Sequence, residues 1–392
     1  MLTWKRLALL LACCAATIPL TGARTPLPPY VVGAVLSLTG ANAPLGVPER
    51  DMLLALRDEI NAGGGISGRQ LQLVIEDDQS DNTHAVLAAK KLIDVDRVSA
   101  IIGASATGPT LAIIPLLEAS GVALLSLAGG ASITKPVQRF VFRTQVTSAL
   151  AATATTAALQ RRGYTRIGIL YQNDATGTAE RDALRAAAAD RGIQITSEQT
   201  YYASDTDVSA QLAAMRKANV QAIVCHGFMP GVLAVARGVQ QLGPGQPLFL
   251  GPAAATQGYL AGGSAVAGPR LAGGRHLVIS EIPAGDPQKQ ALLRFAKLYE
   301  SRFRAPPTDP YAASAYDALQ IVVAALRRAG DDRARLRDAI ESTTGHAGVL
   351  GVYTFRPTDH DGLGEDALIG VGADGARWKL IREDKIQTLP TR

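Results

Sequence analysis

Cysteines, aromatic residues and long apolar runs are scarce in this chain, and each scarcity argues against a class of protein. The 392 residues contain 3 cysteines. Cys13 and Cys14 lie in the leading segment, so the rest of the chain keeps Cys225 alone and no intrachain disulfide is expected there. Aromatic residues make up 5%, and the charges behind a formal net charge of +5 are scattered without a basic run, which argues against nucleic-acid binding.

What the chain does contain is apolar residues, 47% of the total, in a length that suits two globular domains. At the start, two basic residues precede an apolar run at 7–16 that is too short to span a bilayer, and small residues surround Ala23. This pattern predicts a secretory signal peptide over 1–23 and export to the periplasm. The motif LLAC ending at Cys13 resembles a bacterial lipobox, so a lipid anchor at Cys13 is the alternative to cleavage after Ala23.

The segment 98–134 organises the rest of the chain. Its pattern predicts a buried strand at 98–102, a turn of small residues at 103–108, a helix that opens at Pro109 and a second strand at 122–126. Backbone N–H groups and hydroxyls between a parallel strand and a helix N-terminus form a site for a small anion. Another loop of small residues, 127–132, follows the second strand, so both loops are expected at one edge of a sheet, where open α/β folds bind ligands.

Strands and helices alternate on both sides of this segment, which predicts an α/β fold with parallel sheets. Further strands are predicted at 30–36, 70–76, 140–145, 167–171, 193–201, 222–225 and 248–250, and helices at 49–61, 82–93, 149–162, 177–191, 208–218 and 231–242.

The last third of the chain departs from this alternation. A lone strand is predicted at 278–282, helices at 287–302 and 312–328, an extended segment at 349–355, and a hairpin of 368–371 and 378–382 around the turn 372–375. The two late helices need a sheet to cover, so the chain is expected to cross back to the first lobe and out again. We therefore predict a first lobe of 28–141 plus 283–348, a second lobe of 146–277 plus 356–392, and crossovers at 142–145, 278–282 and 349–355.

Several short segments carry a family resemblance. They are Val31-Val32-Gly33, Ile60-Asn61-Ala62-Gly63-Gly64, Ile101-Ile102-Gly103, Gly121-Val122, Phe142-Arg143-Thr144 and Tyr316-Asp317-Ala318. In this order and spacing, the chain resembles the periplasmic substrate-binding proteins of branched-chain amino acid ABC transporters, the type I Leu/Ile/Val-binding family. The resemblance implies two Rossmann-like lobes joined by three crossover strands. It also implies a monomer that closes on its ligand without a cofactor and presents the closed form to a membrane permease.

The resemblance also implies a set of ligand-binding residues. In the first lobe, Thr107 with its neighbours and the backbone of the second loop hold a ligand carboxylate. In the second lobe, an aromatic residue, a loop before a helix and an acid that pairs with the ligand amine complete the site. The corresponding residues here are Ser105, Ala106, Thr107, Ala128, Gly129, Gly130, Asp174, Thr176, Phe228 and Ala253.

Two of these positions depart from the family pattern. Thr176 stands where a tyrosine is common, and Ala253 stands where amino acid binders carry the acid. A buried ammonium without an anion costs several kcal/mol, so the sequence favours a carboxylate ligand with an apolar body and no amine. The alternative is that Asp174, Glu180 or Asp205 supplies the anion from a neighbouring loop.

The same residues also fit other interpretations. Ser105 and Thr107 are also typical helix caps, and 103–107 is close to the G-x-S-x-G motif of serine hydrolases. A secreted hydrolase would use Ser105 with one of the later histidines, His226, His276, His346 or His360. A ligand-sensing protein of the same fold is the alternative among binding proteins.

No metal or phosphate site is predicted. Cys225-His226 lacks a third ligand at metal-binding spacing, and the acidic loop 77–81 lacks the spaced oxygens of a calcium loop. The glycines of 261–274 match no phosphate-binding motif.

Overall fold

The computed structural model describes residues 27–243, 245–263, 270–375 and 377–381. The predicted signal peptide 1–23 and the lipid anchor at Cys13 lie outside these residues. Within the described ranges, no helix is long and apolar enough to cross a membrane.

Strands and helices alternate along most of the described chain. The strands are β1 Tyr30–Leu36, β2 Leu71–Asp77, β3 Ala100–Gly103, β4 Ala123–Ser126, β5 Val141–Arg143, β6 Arg166–Gln172, β7 Gln194–Tyr201, β8 Ala222–His226, β9 Leu248–Leu250, β10 Arg270–Gly273, β11 His346–Ala347, β12 Val352–Tyr353, β13 Ile369–Asp374 and β14 Arg377–Leu380. The helices are α1 Ala43–Ala62, α2 Asn82–Asp94, α3 Thr107–Ser120, α4 Ser148–Arg161, α5 Ala175–Asp190, α6 Ser209–Lys217, α7 Gly231–Gln241, α8 Gln257–Leu260, α9 Lys289–Phe303, α10 Pro310–Ala329 and α11 Arg333–Glu341.

These strands form two main sheets, which confirms the predicted α/β class. The first sheet has the order β2-β1-β3-β4-β5 and is parallel throughout its described pairs. The second has the order β14-β13-β10-β9-β8-β6-β7, in which the hairpin β13–β14 adds an antiparallel edge to parallel strands. We call each sheet with the helices packed on it the first and the second lobe. The domain bounds stated from the sequence stay predictions.

The first sheet is buried on both faces, which explains its apolar strands. In β1, Val32, Ala34 and Leu36 belong to one core cluster, whereas Val35 belongs to another on the opposite face. Side chains alternate between the faces of a strand, so helices on both sides of the sheet require nearly every residue of β1 to be apolar.

The predicted strand at 278–282 is wrong. Arg275–Glu281 is 3-10 helical with a kink at Val278, and the strand of this region is β10, which starts eight residues earlier than predicted, in the glycine-rich stretch where none was predicted. β10 lies between β9 and β13, so its backbone partners, rather than an apolar pattern of its own, determine its conformation.

Two helices also differ from the prediction. Helix α1 begins at Ala43 instead of 49 and contains Pro48, and this extra length carries Leu45 to the cleft described below. Helix α11 was not predicted, although Asp332 caps it by accepting from the Arg335 amide. Leu336 and Ile340, one turn apart on α11, are fully buried, as expected of an amphipathic helix.

The chain passes between the lobes at three places in the described residues: between β5 and α4, between β10 and α9, and between α11 and β13. A buried carboxylate joins two of them. Asp317 accepts from the amides of Val349 and Leu350 and from the Tyr353 hydroxyl at 2.7–2.9 Å, and that hydroxyl also lies 2.8 Å from the carbonyl oxygen of Thr144. We call these five residues the hinge cluster.

Candidate functional site

A cavity lies between the lobes, where strands of both sheets end. Its volume is about 60 Å³, measured as the space open to the centre of a water molecule, which holds about five water-sized groups. Most of the lining is apolar. The lining residues are Leu45, Ser105, Ala106, Thr107, Leu127, Ala128, Gly129, Gln145, Val146, Thr147, Ser148, Ala151, Thr176, Glu180, Phe228, Pro252, Ala253, Ala255, Gly274, His276, Pro310, Tyr311, Leu350 and Leu368.

Four helices direct their N-termini at this cavity. Thr107 is the first residue of α3, Ser148 the first of α4, Thr176 the second of α5 and Tyr311 the second of α10, and all four line the cavity. A helix N-terminus carries a partial positive charge from its unpaired amides. Side chains cap α4, α5 and α10, so the uncapped N-terminus of α3 is the end best suited to a negatively charged group in the cavity.

Thr107 does not cap its helix. The N-cap of α3 is Ala106, whose side chain makes no capping hydrogen bond, so the N-terminus of α3 has no side-chain cap within the described residues. The methyl and hydroxyl of Thr107 lie against Gly130, where a Cβ would come within 2.4 Å of the Thr107 Cγ2. Gly130 itself does not line the cavity. Its role is to leave room for Thr107.

The second loop, 127–130, is tied down by hydrogen bonds of its own. The Ala128 amide donates to Ser126 Oγ at 3.2 Å, and the Gly129 carbonyl accepts from the Ser148 amide and hydroxyl at 2.9 and 3.1 Å. The carbonyl of Gly130 accepts from buried Arg143 at 2.8 Å. The Ala128 amide, predicted to face a ligand carboxylate, is thus engaged within the loop.

The hydroxyl of Ser105 is also engaged. It donates to Glu49 Oε2 at 2.5 Å and accepts from the Ser37 amide at 3.1 Å. Burial raises the pKa of Glu49 well above its usual range. A serine nucleophile of the hydrolase type uses a histidine as its base, and the hydrogen bonds of Ser105 to the described residues include none of the candidate histidines.

The lobes touch each other across the cavity. Thr176 of the second lobe donates to the Thr107 hydroxyl at 3.3 Å, and the Tyr311 hydroxyl of the first lobe donates to the Ala253 carbonyl at 3.0 Å. Phe228 meets Tyr311 edge to face, with 6.3 Å between the ring centroids. The structure therefore shows the cleft closed.

Eight of the ten residues singled out from the sequence line this cavity; Gly130 and Asp174 do not. Asp174 instead caps α5: its carboxylate accepts from the Gly177 amide at 2.7 Å and from Gln172 at 2.6 Å. The strand and helix pattern led to the two loops of the first lobe, and the family resemblance led to the residues of the second lobe. As ligand contacts, the eight stay predictions.

Sequence reasoning did not select several lining residues. Leu45 and Tyr311 come from helices of the first lobe and pack with Phe228 in one apolar cluster. Glu180 was named only as a substitute acid, and His276 only as a hydrolase base. The cap residue Asp309 before Pro310 marks the start of α10, but no local signal shows that this start faces the second lobe.

His276 is the most deeply buried ionisable lining residue, with 2% exposure. Neither ring nitrogen has a hydrogen-bond partner within the described residues. Burial lowers the pKa of His276 to about 3, so the ring is neutral at physiological pH. A neutral imidazole offers one donor and one acceptor to a bound molecule.

Metal binding has no support in the described part of the chain, where no group of three candidate side chains is suitably placed. The acidic loop has structural roles instead: Asp77 accepts from the amides of Leu38, Thr39 and Gln79, and Asp81 caps α2. Cys225 is a free buried thiol whose pKa burial raises to about 12, so it is unreactive.

Comparison with known proteins places this arrangement in a family. A family model described as periplasmic binding protein matches residues 29–376. The leucine-, isoleucine-, valine-, threonine- and alanine-binding protein of Pseudomonas aeruginosa is 25% identical over 316 residues, which cover 78% of this chain and 80% of that protein.

Solved structures show the same fold. An extracellular ligand-binding receptor from Rhodopseudomonas palustris superposes with a TM-score of 0.83 at 23% identity, over 90% of this chain and 99% of that one. A type 1 periplasmic binding protein from Bordetella pertussis gives 0.79 at 26% identity over the same shares. The fold class predicted from the sequence is confirmed by these matches.

Proposed function

Since the chain belongs to the periplasmic binding protein family, we propose that it captures a small carboxylate-bearing solute between its lobes and delivers it to an ABC importer. The observation that carries this proposal is one closed, mostly apolar cavity at which four helices begin and where the N-terminus of α3 has no side-chain cap. Binding, rather than catalysis, is the role of its relatives, and the engaged hydroxyl of Ser105 agrees with a non-enzymatic role.

Different walls of the cavity bind different parts of the proposed ligand. The Thr107 hydroxyl and the first amides of α3 hold the ligand carboxylate, because a charge-assisted hydrogen bond is strong and the helix dipole favours an anion there. Leu45, Phe228 and Tyr311 surround the apolar body of the ligand. The small volume favours a ligand with few heavy atoms.

The proposed function requires that the protein be exported to the periplasm. The leader over 1–23 takes the chain to the periplasm, where the closed form meets the membrane subunits of the importer. Two measurements test the function. Native mass spectrometry of protein purified from its host should detect a bound small carboxylate, and deletion of the gene should abolish uptake of that compound.

The same deletion separates transport from sensing. If uptake persists and only a transcriptional or chemotactic response to the compound disappears, the protein is a ligand sensor and the proposed delivery to an importer is wrong.

A further inference from the structure

One carboxylate of the cavity has an oxygen without a hydrogen-bond partner among the described residues. Glu180 lines the cavity from the second turn of α5, and its side chain is 12% exposed. The nearest basic atom is Nδ1 of His226, 3.5 Å from the buried Oε2 of Glu180, yet neither that oxygen nor either ring nitrogen of His226 has a hydrogen-bond partner within the described residues. Buried carboxylates are normally paired or saturated with hydrogen bonds.

The charge balance of the cavity shows what Glu180 lacks. Among the described lining residues, Glu180 is the only carboxylate, and none is a lysine or an arginine. A ligand with a carboxylate and no cationic group would bring a second negative charge into a closed space of low dielectric, where like charges repel strongly. A ligand that also carries an ammonium removes this repulsion.

We propose that Glu180 is the counter-ion of a ligand ammonium, so that the solute is a small zwitterion of the α-amino acid class. The inference rests on the proposed function, since it places the ligand carboxylate at Thr107 and the ammonium towards Glu180. It replaces the amine-free ligand favoured by the sequence: Ala253 lines the cavity without a charge, and the anion comes from α5 instead. Of the other substitute acids, Asp174 is a helix cap and Asp205 accepts from the Tyr202 amide outside the lining.

The competing explanation is a structural pair of Glu180 and His226. Such a pair would affect folding and would not distinguish between ligands. A role as counter-ion predicts selectivity for ligands with an amine, which a structural pair does not.

The test is a calorimetric titration of wild type and Glu180→Gln with the common α-amino acids and with the same molecules lacking the amine, for example valine and 3-methylbutanoate. Wild type should bind one or more amino acids and bind their amine-free counterparts far more weakly. Glu180→Gln should lose roughly a hundredfold or more in affinity for the amino acid, because one partner of a buried ion pair is missing. Its affinity for the amine-free acid should stay equal or rise.

Asp182→Asn is the matched control, since it removes one negative charge from the exposed face of the same helix. It should leave affinity for both ligand series unchanged. Circular dichroism establishes that both variants fold, and the selectivity of wild type tests the inference without any variant.

The outcomes separate this inference from the proposed function. If wild type prefers the amine-free acids, or if folded Glu180→Gln keeps its amino acid affinity, the role of Glu180 is wrong and a carboxylate-binding protein remains. If wild type binds neither series, the proposed function fails and this inference fails with it.

Discussion

Buried polar groups in the cleft and in the hinge cluster differ in how completely they are satisfied. In the hinge, the carboxylate of Asp317 accepts from two amides and one hydroxyl. In the cleft, His276 and the buried oxygen of Glu180 have no hydrogen-bond partner within the described residues. Unsatisfied buried groups cost free energy. The hydrogen bonds of Asp317 are made within the protein, whereas the cleft keeps polar groups that a bound ligand can satisfy.

Removing the Asp317 carboxylate from the hinge cluster should lower the free energy of unfolding more than any change in the cleft. Asp317→Leu leaves the amides of Val349 and Leu350 and the Tyr353 hydroxyl without their acceptor. We expect a loss of about 3–5 kcal/mol in the free energy of unfolding, measured by urea denaturation. Asp317→Asn keeps an acceptor oxygen and should lose less.

The same measurement on the cleft should give the opposite result. Glu180→Gln removes a charge whose buried Oε2 has no hydrogen-bond partner within the described residues, so the free energy of unfolding should be unchanged or higher. A loss as large as that of Asp317→Leu would contradict the distinction between the two regions. Exposed Asp338→Ala serves as the control for the loss of an acid.

Thr107→Ala should weaken ligand binding by about ten- to a hundredfold, which corresponds to the 1.5–3 kcal/mol of a hydrogen bond to a charged group. Stability should change little, because Ala106 rather than Thr107 occupies the N-cap. Calorimetric titration beside thermal melts makes the comparison.

The matched control for Thr107→Ala is Thr83→Ala, in the exposed first turn of α2 outside the cavity. If Thr107→Ala lowers the melting temperature by several degrees and keeps affinity, the residue is structural and the carboxylate site is elsewhere.

The two regions should respond to pH in opposite directions. Burial raises the pKa of Asp317 from 3.8 to about 7, so between these values the folded protein holds a proton that the unfolded chain releases, and stability falls as the pH rises. Burial lowers the pKa of His276 from 6.5 to about 3, so the unfolded chain binds a proton that the folded protein excludes, and stability falls as the pH drops below 6.5.

Variants separate the two contributions. Relative to wild type, Asp317→Asn should gain stability as the pH rises from 4.5 to 6, and His276→Phe should gain stability as the pH falls over the same range, each by at most about 1.4 kcal/mol per pH unit. Urea denaturation at several pH values measures both. Difference curves with the same sign would contradict the assignment of at least one group.

The smallest expected effect is a change of shape. The hydrogen bonds across the cavity join Thr107 to Thr176 and Tyr311 to Ala253, and without ligand the lobes should separate about the hinge. Small-angle scattering should show a decrease in radius of gyration when the ligand identified by mass spectrometry is added. An unchanged radius at saturation would contradict closure.

Local patterns in the sequence determined the strands, most helices and the loops where parallel strands end. They led to Thr107 because the carboxyl ends of neighbouring parallel strands meet at one edge of a sheet, whereas Thr176 and Phe228 were selected by the family resemblance. They failed for β10, whose strand conformation comes from its neighbours β9 and β13.

Only the tertiary structure decided which groups oppose each other across the cleft. Three lining residues show this: Leu45 lies in α1, Tyr311 in α10 and His276 in the segment that follows β10. Their positions relative to one another depend on how the hinge orients the lobes. The different roles of Glu180 and Asp174 have the same origin. Both carboxylates lie in or beside α5, but Asp174 accepts hydrogen bonds as the cap of that helix. Glu180 lies beside the cavity, and its Oε2 has no hydrogen-bond partner in the described residues. A sequence shows that a charge is present, whereas burial and hydrogen bonding, which decide whether that charge needs a ligand, are properties of the folded chain.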